Sequence, residues 1–343
     1  MFQIHNKTPY PSGLAFFLNA QGAEQVTVVS KATFQLPTYF DSECVLSAEQ
    51  RPILYCDEYF AEPGRSSLHY PADVVLGKYT TDVGIIGHVH SPSGRPASRV
   101  RASLVLGDLR KDIDVHGDRT WRANWSGGFS ATVPEPFVSL PIRYERSFGG
   151  TDITDDDPRQ HAAYPPNPIG TGFRQKRAAV AQHPLPNFEE PNQEISCWED
   201  RPPPAGYGFI APSWSPRCLF AGTYDTDWQT TRAPLLPKDF DLRFCQASPP
   251  SLQTRSFLTG GETVKLTNLS RQGNLSFSLP KLVLRYRCRI GISDVEAIAD
   301  LWTVVFEPDA GLVCMVFGKA FPIGKQPARM RFVEVEQLGL RVS

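Results

Sequence analysis

The sequence predicts a mainly β protein: a β-sandwich or open-barrel scaffold with a long, ordered loop region rich in proline and aromatic residues. Three observations lead there. Short runs of β-branched and aromatic residues recur along the chain, separated by turn-forming residues. The strand–helix alternation of a doubly wound nucleotide-binding fold is missing. Finally, 15 of the 31 prolines fall between residues 134 and 216, about a quarter of the chain. Each one fixes φ and removes a backbone donor, so neither a long helix nor a central strand can run there.

In chain order, residues 26–36 form the first clear strand. Val26, Val28 and Ser30 lie on one face and Thr27, Val29 and Lys31 on the other, and Pro37 ends the run. Residues 82–90 read as a second strand, stopped by the turn signal Ser91-Pro92-Ser93-Gly94. Residues 101–106 and 110–115 flank Gly107-Asp108 and predict a hairpin. The proline-rich segment follows, yet aromatics recur in it: Tyr144, Phe148, Tyr164, Phe173, Phe188, Trp198, Tyr207, Phe209 and Trp214. A disordered linker is depleted in aromatics, so this region is read as irregular but ordered, pinned against the β scaffold. Strand patterns resume at Thr263–Leu269, Leu275–Leu279, Leu282–Ile290, Trp302–Phe306, Leu312–Phe317 and Arg331–Val335. Gly273-Asn274 and Pro308-Asp309-Ala310-Gly311 supply turns. Ser293-x-x-Glu296 has the spacing of a capping box that would open one short helix, although the run soon turns β-branched. The organisation expected is one unit over 1–343: strand-rich in 1–133, loop-rich in 134–260, strand-rich in 261–343.

The bulk composition excludes several function classes. The chain has 343 residues, enough to bury a sizeable core. Its 35 basic and 36 acidic side chains give a net charge of -1, which makes no electrostatic case for nucleic acid. The first ten residues lack the basic start and apolar run of a signal peptide, and Leu14–Leu18 is too short to span a bilayer. A cytoplasmic protein without a membrane partner is therefore expected. The 7 cysteines are odd in number and form no Cys-x-x-Cys pair. That points to reduced, mostly buried thiols rather than a disulfide framework or a zinc site.

Few residues suggest chemistry, and each has a plainer reading. His88 and His90 share a strand face and could bind a metal with His116, but a histidine pair beside a turn is the simpler account. Asp155-Asp156-Asp157 lacks the alternating oxygens of a calcium loop. Glu189, Glu190, Glu194, Asp225 and Asp227 lie among Trp198, Trp214, Tyr224 and Trp228, a mixture that would suit glycoside hydrolysis if two carboxylates faced each other. Gly206-Tyr207-Gly208-Phe209 is a poor phosphate cradle. Glu145-Arg146-Ser147 reads as a buried ion pair opening an ordered loop rather than as a catalytic set.

The middle segment then becomes specific. Tyr144-Glu145-Arg146-Ser147-Phe148-Gly149-Gly150-Thr151-Asp152 is followed by Asn167-Pro168-Ile169-Gly170-Thr171-Gly172-Phe173 and Leu185-Pro186-Asn187-Phe188-Glu189. Pro204-Ala205-Gly206-Tyr207-Gly208 and Trp214-Ser215-Pro216-Arg217 come next. Ala221-Gly222-Thr223-Tyr224-Asp225, Trp228 and Leu235-Leu236-Pro237-Lys238-Asp239-Phe240-Asp241 close the series. In that order the motifs resemble a β-rich family encoded beside type VI secretion spike and effector genes. Flanking pieces such as Lys31-Ala32-Thr33-Phe34 and Gly117-Asp118-Arg119-Thr120-Trp121 agree, and the likeness runs over roughly residues 20–315. Near the end the family tends to show Leu-Asp-Thr and then a Trp-Arg pair. This chain departs from it with Leu301-Trp302-Thr303 and Phe317-Gly318-Lys319.

The resemblance implies a non-enzymatic adaptor, or chaperone. It would bind a secreted effector carrying a PAAR or PAAR-like domain, help load it onto the VgrG spike, and stay in the producing cell. No catalytic residue, cofactor or metal carries over. Tyr, Trp, Phe and Arg are the usual anchors of protein interfaces, and rigidly held loops are where recognition sits. The expected cargo-facing surface is therefore built or supported by residues 144–241, with Tyr144, Arg146, Phe148, Phe173, Phe188, Tyr207, Trp214, Arg217, Tyr224 and Trp228 as candidate contacts. The alternative reading is a carbohydrate-active or metal-dependent hydrolase using carboxylates or histidines of the loop region.

Overall fold

The computed structural model describes residues 3–38, 43–324 and 330–339. The protein is mainly β, as expected, and among the described residues it is built from several sheets, none closed into a barrel. A six-stranded sheet runs in the order Ser12–Leu18, Glu24–Gln35, Leu312–Gly324, Asp300–Glu307, Asp82–Ile85, with Val45–Leu46 paired to Glu24–Gln35. A five-stranded sheet follows the order Phe188–Glu189, Leu109–His116, Arg99–Leu106, Thr263–Thr267, Leu275–Ser278. A four-stranded sheet follows the order Gln3–Asn6, Met330–Gly339, Val283–Ile290, Ser293–Ile298.

One continuous apolar core joins the three. It contains Val26, Val28, Phe306, Met315 and Phe317 of the first sheet, Val100, Leu104, Ile113, Val264 and Phe277 of the second, and Leu284, Tyr286, Cys288 and Val333 of the third. Phe277 meets Phe306 edge-on at 6.2 Å, and the Tyr286 hydroxyl donates to the Phe317 carbonyl at 3.2 Å.

The six-stranded sheet is buried on both faces, which explains why its strands read as near-continuous apolar runs. Val29, Val74 and Trp302 pack on the side away from the main core, as do Leu68, Phe209, Ala247, Val305 and Cys314. Phe209 belongs to the proline-rich segment. Its ring lies where a Cβ at Gly84 would fall, so the glycine is what lets the loop region lie flat on the sheet. This second face also carries two buried ion pairs, Lys31–Asp73 at 2.9 Å and Lys78–Asp82 at 2.6 Å. Burial raises the Asp73 carboxyl despite the opposing pull of Lys31.

Most expected strands are present, with three corrections. The 82–90 run is two strands, Asp82–Ile85 and His88–His90, paired to different partners. The chain breaks at Gly87, whose φ is 150° and whose absent side chain leaves room for the Asp309 carboxylate. Ser293-x-x-Glu296 opens no helix: Ser293–Ile298 is an edge strand, because cross-strand partners on Val283–Ile290 outweigh a weak capping signal. The thiols are less buried than expected. Cys245, Cys288 and Cys314 are buried, Cys44 and Cys218 half-buried, and Cys56 and Cys197 exposed.

Candidate functional site

The proline-rich segment folds by using side chains where a sheet would use its own backbone. Tyr144–Arg146 is a single turn of 3-10 helix. Its three side chains then diverge, which corrects the expected ion pair within Glu145-Arg146-Ser147. The Glu145 carboxylate accepts from the Ser67 amide (2.8 Å) and hydroxyl (2.7 Å). Arg146 donates to Asn187 at 2.9 Å and reaches Asp118 at 3.4 Å. Ser147 donates to the Ala205 carbonyl.

Asn167 is the hub. Fully buried, its side-chain amide nitrogen donates to the carbonyls of Tyr144 (2.7 Å) and Phe148 (3.1 Å), and its backbone carbonyl accepts from the Gly150 amide (2.8 Å). Gly149 and Gly150 have φ of 152° and 118°, and a Cβ on Gly149 would strike the Asn167 carbonyl oxygen. The Gly-Gly and Asn-Pro motifs are thus two halves of one contact. Nothing in their spacing, 17 residues apart, announces that.

Arg217 is also buried, and its guanidinium serves backbone carbonyls. It donates to the carbonyls of Phe244 and Ile210, both at 2.8 Å, and its guanidinium lies 5.5 Å from the Phe244 ring.

Six of the ten candidate contact residues therefore lie inside this scaffold: Tyr144, Phe148, Phe188, Tyr207, Trp214 and Arg217. Tyr144 stacks edge-on against Trp214 at 5.8 Å and lies against Gly206, and burial pushes its hydroxyl pKa up. Tyr207 donates to the Lys111 carbonyl. Apart from Tyr144, which reaches the lining of the cleft described next, these side chains are out of reach of a docked partner. Arg146, Phe173 and Trp228 remain half-exposed, and Tyr224 is 53% exposed. Tyr224 and Trp228 form an edge-on pair at 4.7 Å beside the short Thr226–Thr231 helix, which Asp225 caps.

Beside this scaffold opens a cleft of ≈ 540 Å³. Pro166, Pro203, Pro204, Pro216, Pro249 and Pro250 line it, together with Tyr144, Tyr164 and Ile210. Lys111 and Glu190, which form an ion pair, are its charged floor, and Arg201 sits on its wall. Tyr164 packs edge-on against Phe148 at 5.1 Å, and Arg201 lies 5.1 Å over the Phe173 ring. Proline walls cost little entropy to hold in place, so the cleft is preformed. Tyr164 and Arg201, its main accessible anchors, were not among the candidates, although Tyr164 was noted as part of the aromatic series.

The groups that suggested chemistry have internal partners. Glu189 pairs with Arg119, Glu190 with Lys111 and Glu194 with Arg99. Burial raises the Glu189 carboxyl against the pull of Arg119. Asp225 and Asp227 lie apart from these, at the Thr226–Thr231 helix. Asp155 pairs with Lys176 and Asp157 with Arg159. His88 and His90 share one carboxylate, Asp309, at 2.7 and 2.8 Å. His116 is not with them: it sits beside Glu189 in the five-stranded sheet, where burial and Arg119 push its pKa down to about 4. Among the described residues, no group of three or more His, Cys, Asp or Glu is arranged to hold a metal ion.

The two departures near residue 302 meet in space. Trp302 is the extra residue of a β-bulge between Leu301 and Thr303, and its indole occupies the place of the missing Gly318 side chain. Lys319 pairs with Asp300 at 2.8 Å.

Residues 21–318 match a family described as an uncharacterized protein conserved in bacteria (DUF2169). No curated protein and no solved structure matches the chain. Among the described residues, no helix is long and apolar enough to cross a membrane.

Proposed function

The chain belongs to the DUF2169 family of bacterial proteins, and we propose, from its motif series and its preformed cleft, that it is a non-enzymatic adaptor. It binds a secreted effector with a PAAR or PAAR-like domain in the cytoplasm and helps load it onto the VgrG spike of a type VI secretion machine. The motif series quoted above supports the secretion assignment.

The single observation that carries the binding role is the preformed cleft with accessible Tyr164, Phe173 and Arg201 at its border. A stiff apolar groove edged by aromatic and guanidinium groups suits a protein segment, because burying these side chains costs little conformational freedom. The ion-paired state of Glu189, Glu190 and Glu194 favours binding over glycoside hydrolysis.

The test is an affinity pull-down of the tagged protein from its own cell lysate, followed by titration of the recovered effector. One dominant effector with a PAAR-like domain is expected. Tyr164→Ala or Arg201→Ala should then weaken it by about 2 kcal/mol, roughly thirtyfold. Folded variants that bind the effector as tightly as the parent would remove the cleft from the interface. Recovery of no partner would return weight to the hydrolase reading.

A further inference from the structure

The four-stranded sheet ends, among the described residues, in the strand Ser293–Ile298. Among the described residues, its outer strand Ser293–Ile298 pairs on one side alone, with Val283–Ile290. Every second residue of such an edge turns its N–H and C=O outward, unpaired.

Two features say what belongs there. The first is charge. On the solvent face the sheet is striped by strand. Asp294 and Glu296 are followed by Arg285, Arg287 and Arg289, then by Glu334 and Glu336, then by Lys7 just past Gln3–Asn6. The stripes are joined: Arg289 to Asp294 (2.7 Å), Arg287 to Glu334 (2.7 Å), Lys7 to Glu334 (2.9 Å), and Arg285 to both Glu296 and Glu336. The outermost stripe is acidic, so the next strand in the alternation is basic. The second feature is apolar. On the opposite face the core continues from Cys288 to its cross-strand neighbour Val295, which is 40% exposed, and the hairpin tip Ile292 is 98% exposed.

We infer that this edge accepts a β-strand from a partner protein, one that alternates Lys or Arg with apolar residues and adds to the sheet beyond Ser293–Ile298. The basic positions extend the charge stripes and the apolar ones cover Val295. A second copy of this chain does not fit. Edge-to-edge pairing would set Asp294 and Glu296 against the same carboxylates, and like charges directly opposite are destabilising. The inference does not depend on the adaptor reading or on the proline-lined cleft.

The probe is a labelled, end-blocked ten-residue peptide alternating Lys and Val, titrated into the full chain at low salt and followed by fluorescence anisotropy. Binding about tenfold or more tighter than a matched Glu–Val peptide is expected. The double variant D294N/E296Q, checked for folding by circular dichroism, should cut that preference to about threefold or less. A Lys–Val peptide N-methylated at alternate residues should lose binding, because it cannot join the ladder. Equal binding of the two peptides, an unchanged preference in the folded double variant, or retained binding of the methylated peptide would each overturn the proposal. In that case the carboxylates act only to keep a bare edge from pairing.

Discussion

The three large sheets and the 134–260 segment face the same demand, that buried backbone polar groups find partners, and they meet it in opposite ways. In the sheets, backbone bonds backbone: Arg99–Leu106 and Leu109–His116 stay in register for eight residue pairs around the Gly107-Asp108 turn. In the loop segment side chains take that role. Asn167 serves the carbonyls of Tyr144 and Phe148, Arg217 those of Phe244 and Ile210, and Ser147 that of Ala205. A sheet spreads its stability over many equivalent bonds, whereas the loop segment concentrates it in a few irreplaceable side chains.

Single substitutions can break this contrast. The largest effect is expected at Gly149→Ala, which drives a Cβ into the Asn167 carbonyl at a φ of 152°. A loss of about 3 kcal/mol or more is expected in urea unfolding. A near-neutral result would mean the hub can relax. Arg217→Leu comes next. It strands the buried Ile210 carbonyl and the partly buried Phe244 carbonyl and should cost about 2–3 kcal/mol, read by the same method. Gly84→Ala probes the seam between the regions by pushing the Phe209 ring off the sheet. A cost of about 1–3 kcal/mol is expected, together with protease sensitivity in the loop segment before the sheets.

The contrast can also be tested by pH, because each region contributes one histidine with a lowered pKa. His116 in the five-stranded sheet and His183 in the loop segment are both held at about 4, by burial first and then by Arg119 and Arg174 respectively. Their folded pKa values lie below the ordinary 6.5, so the unfolded chain binds more protons in between. Stability is complete above about 6.5 and falls as pH drops toward 4. Glu189, raised by burial, partly offsets this beside His116. The Tm should fall over that window, and His183→Gln should flatten the loss more than His116→Gln. Equal slopes in all three proteins would show that neither ring stays neutral in the fold.

The contrast also decides what could be read from sequence. In the sheets, the period of two tells which face a residue takes, even where both faces are buried. Val26 and Val28 alternate with Thr27 and Val29 as expected, and the Gly107-Asp108 hairpin was visible directly. At Ser293–Ile298 the capping spacing competes with a strand alternation, Asp294 and Glu296 against Val295 and Ala297, and the strand wins. In the loop segment there is no period. An aromatic residue that props a turn from inside and one that waits for a partner look alike, so the candidate contacts mixed buried Trp214 with exposed Tyr224. Asn167 stands in a motif whose spacing does not mark it as a hub, since its partners lie 17 to 23 residues away.

The indole of Trp302 seated over Gly318 has a consequence for how this chain can vary. The space between these two positions is a shared volume, and whichever residue occupies it evicts the other. A bulky replacement at 318 becomes tolerable only once 302 has shrunk, and the order of those two steps matters, because one order passes through a clash and the other through a cavity. What a position-by-position comparison scores as two unrelated departures is then one coupled pair, whose two changes are not additive.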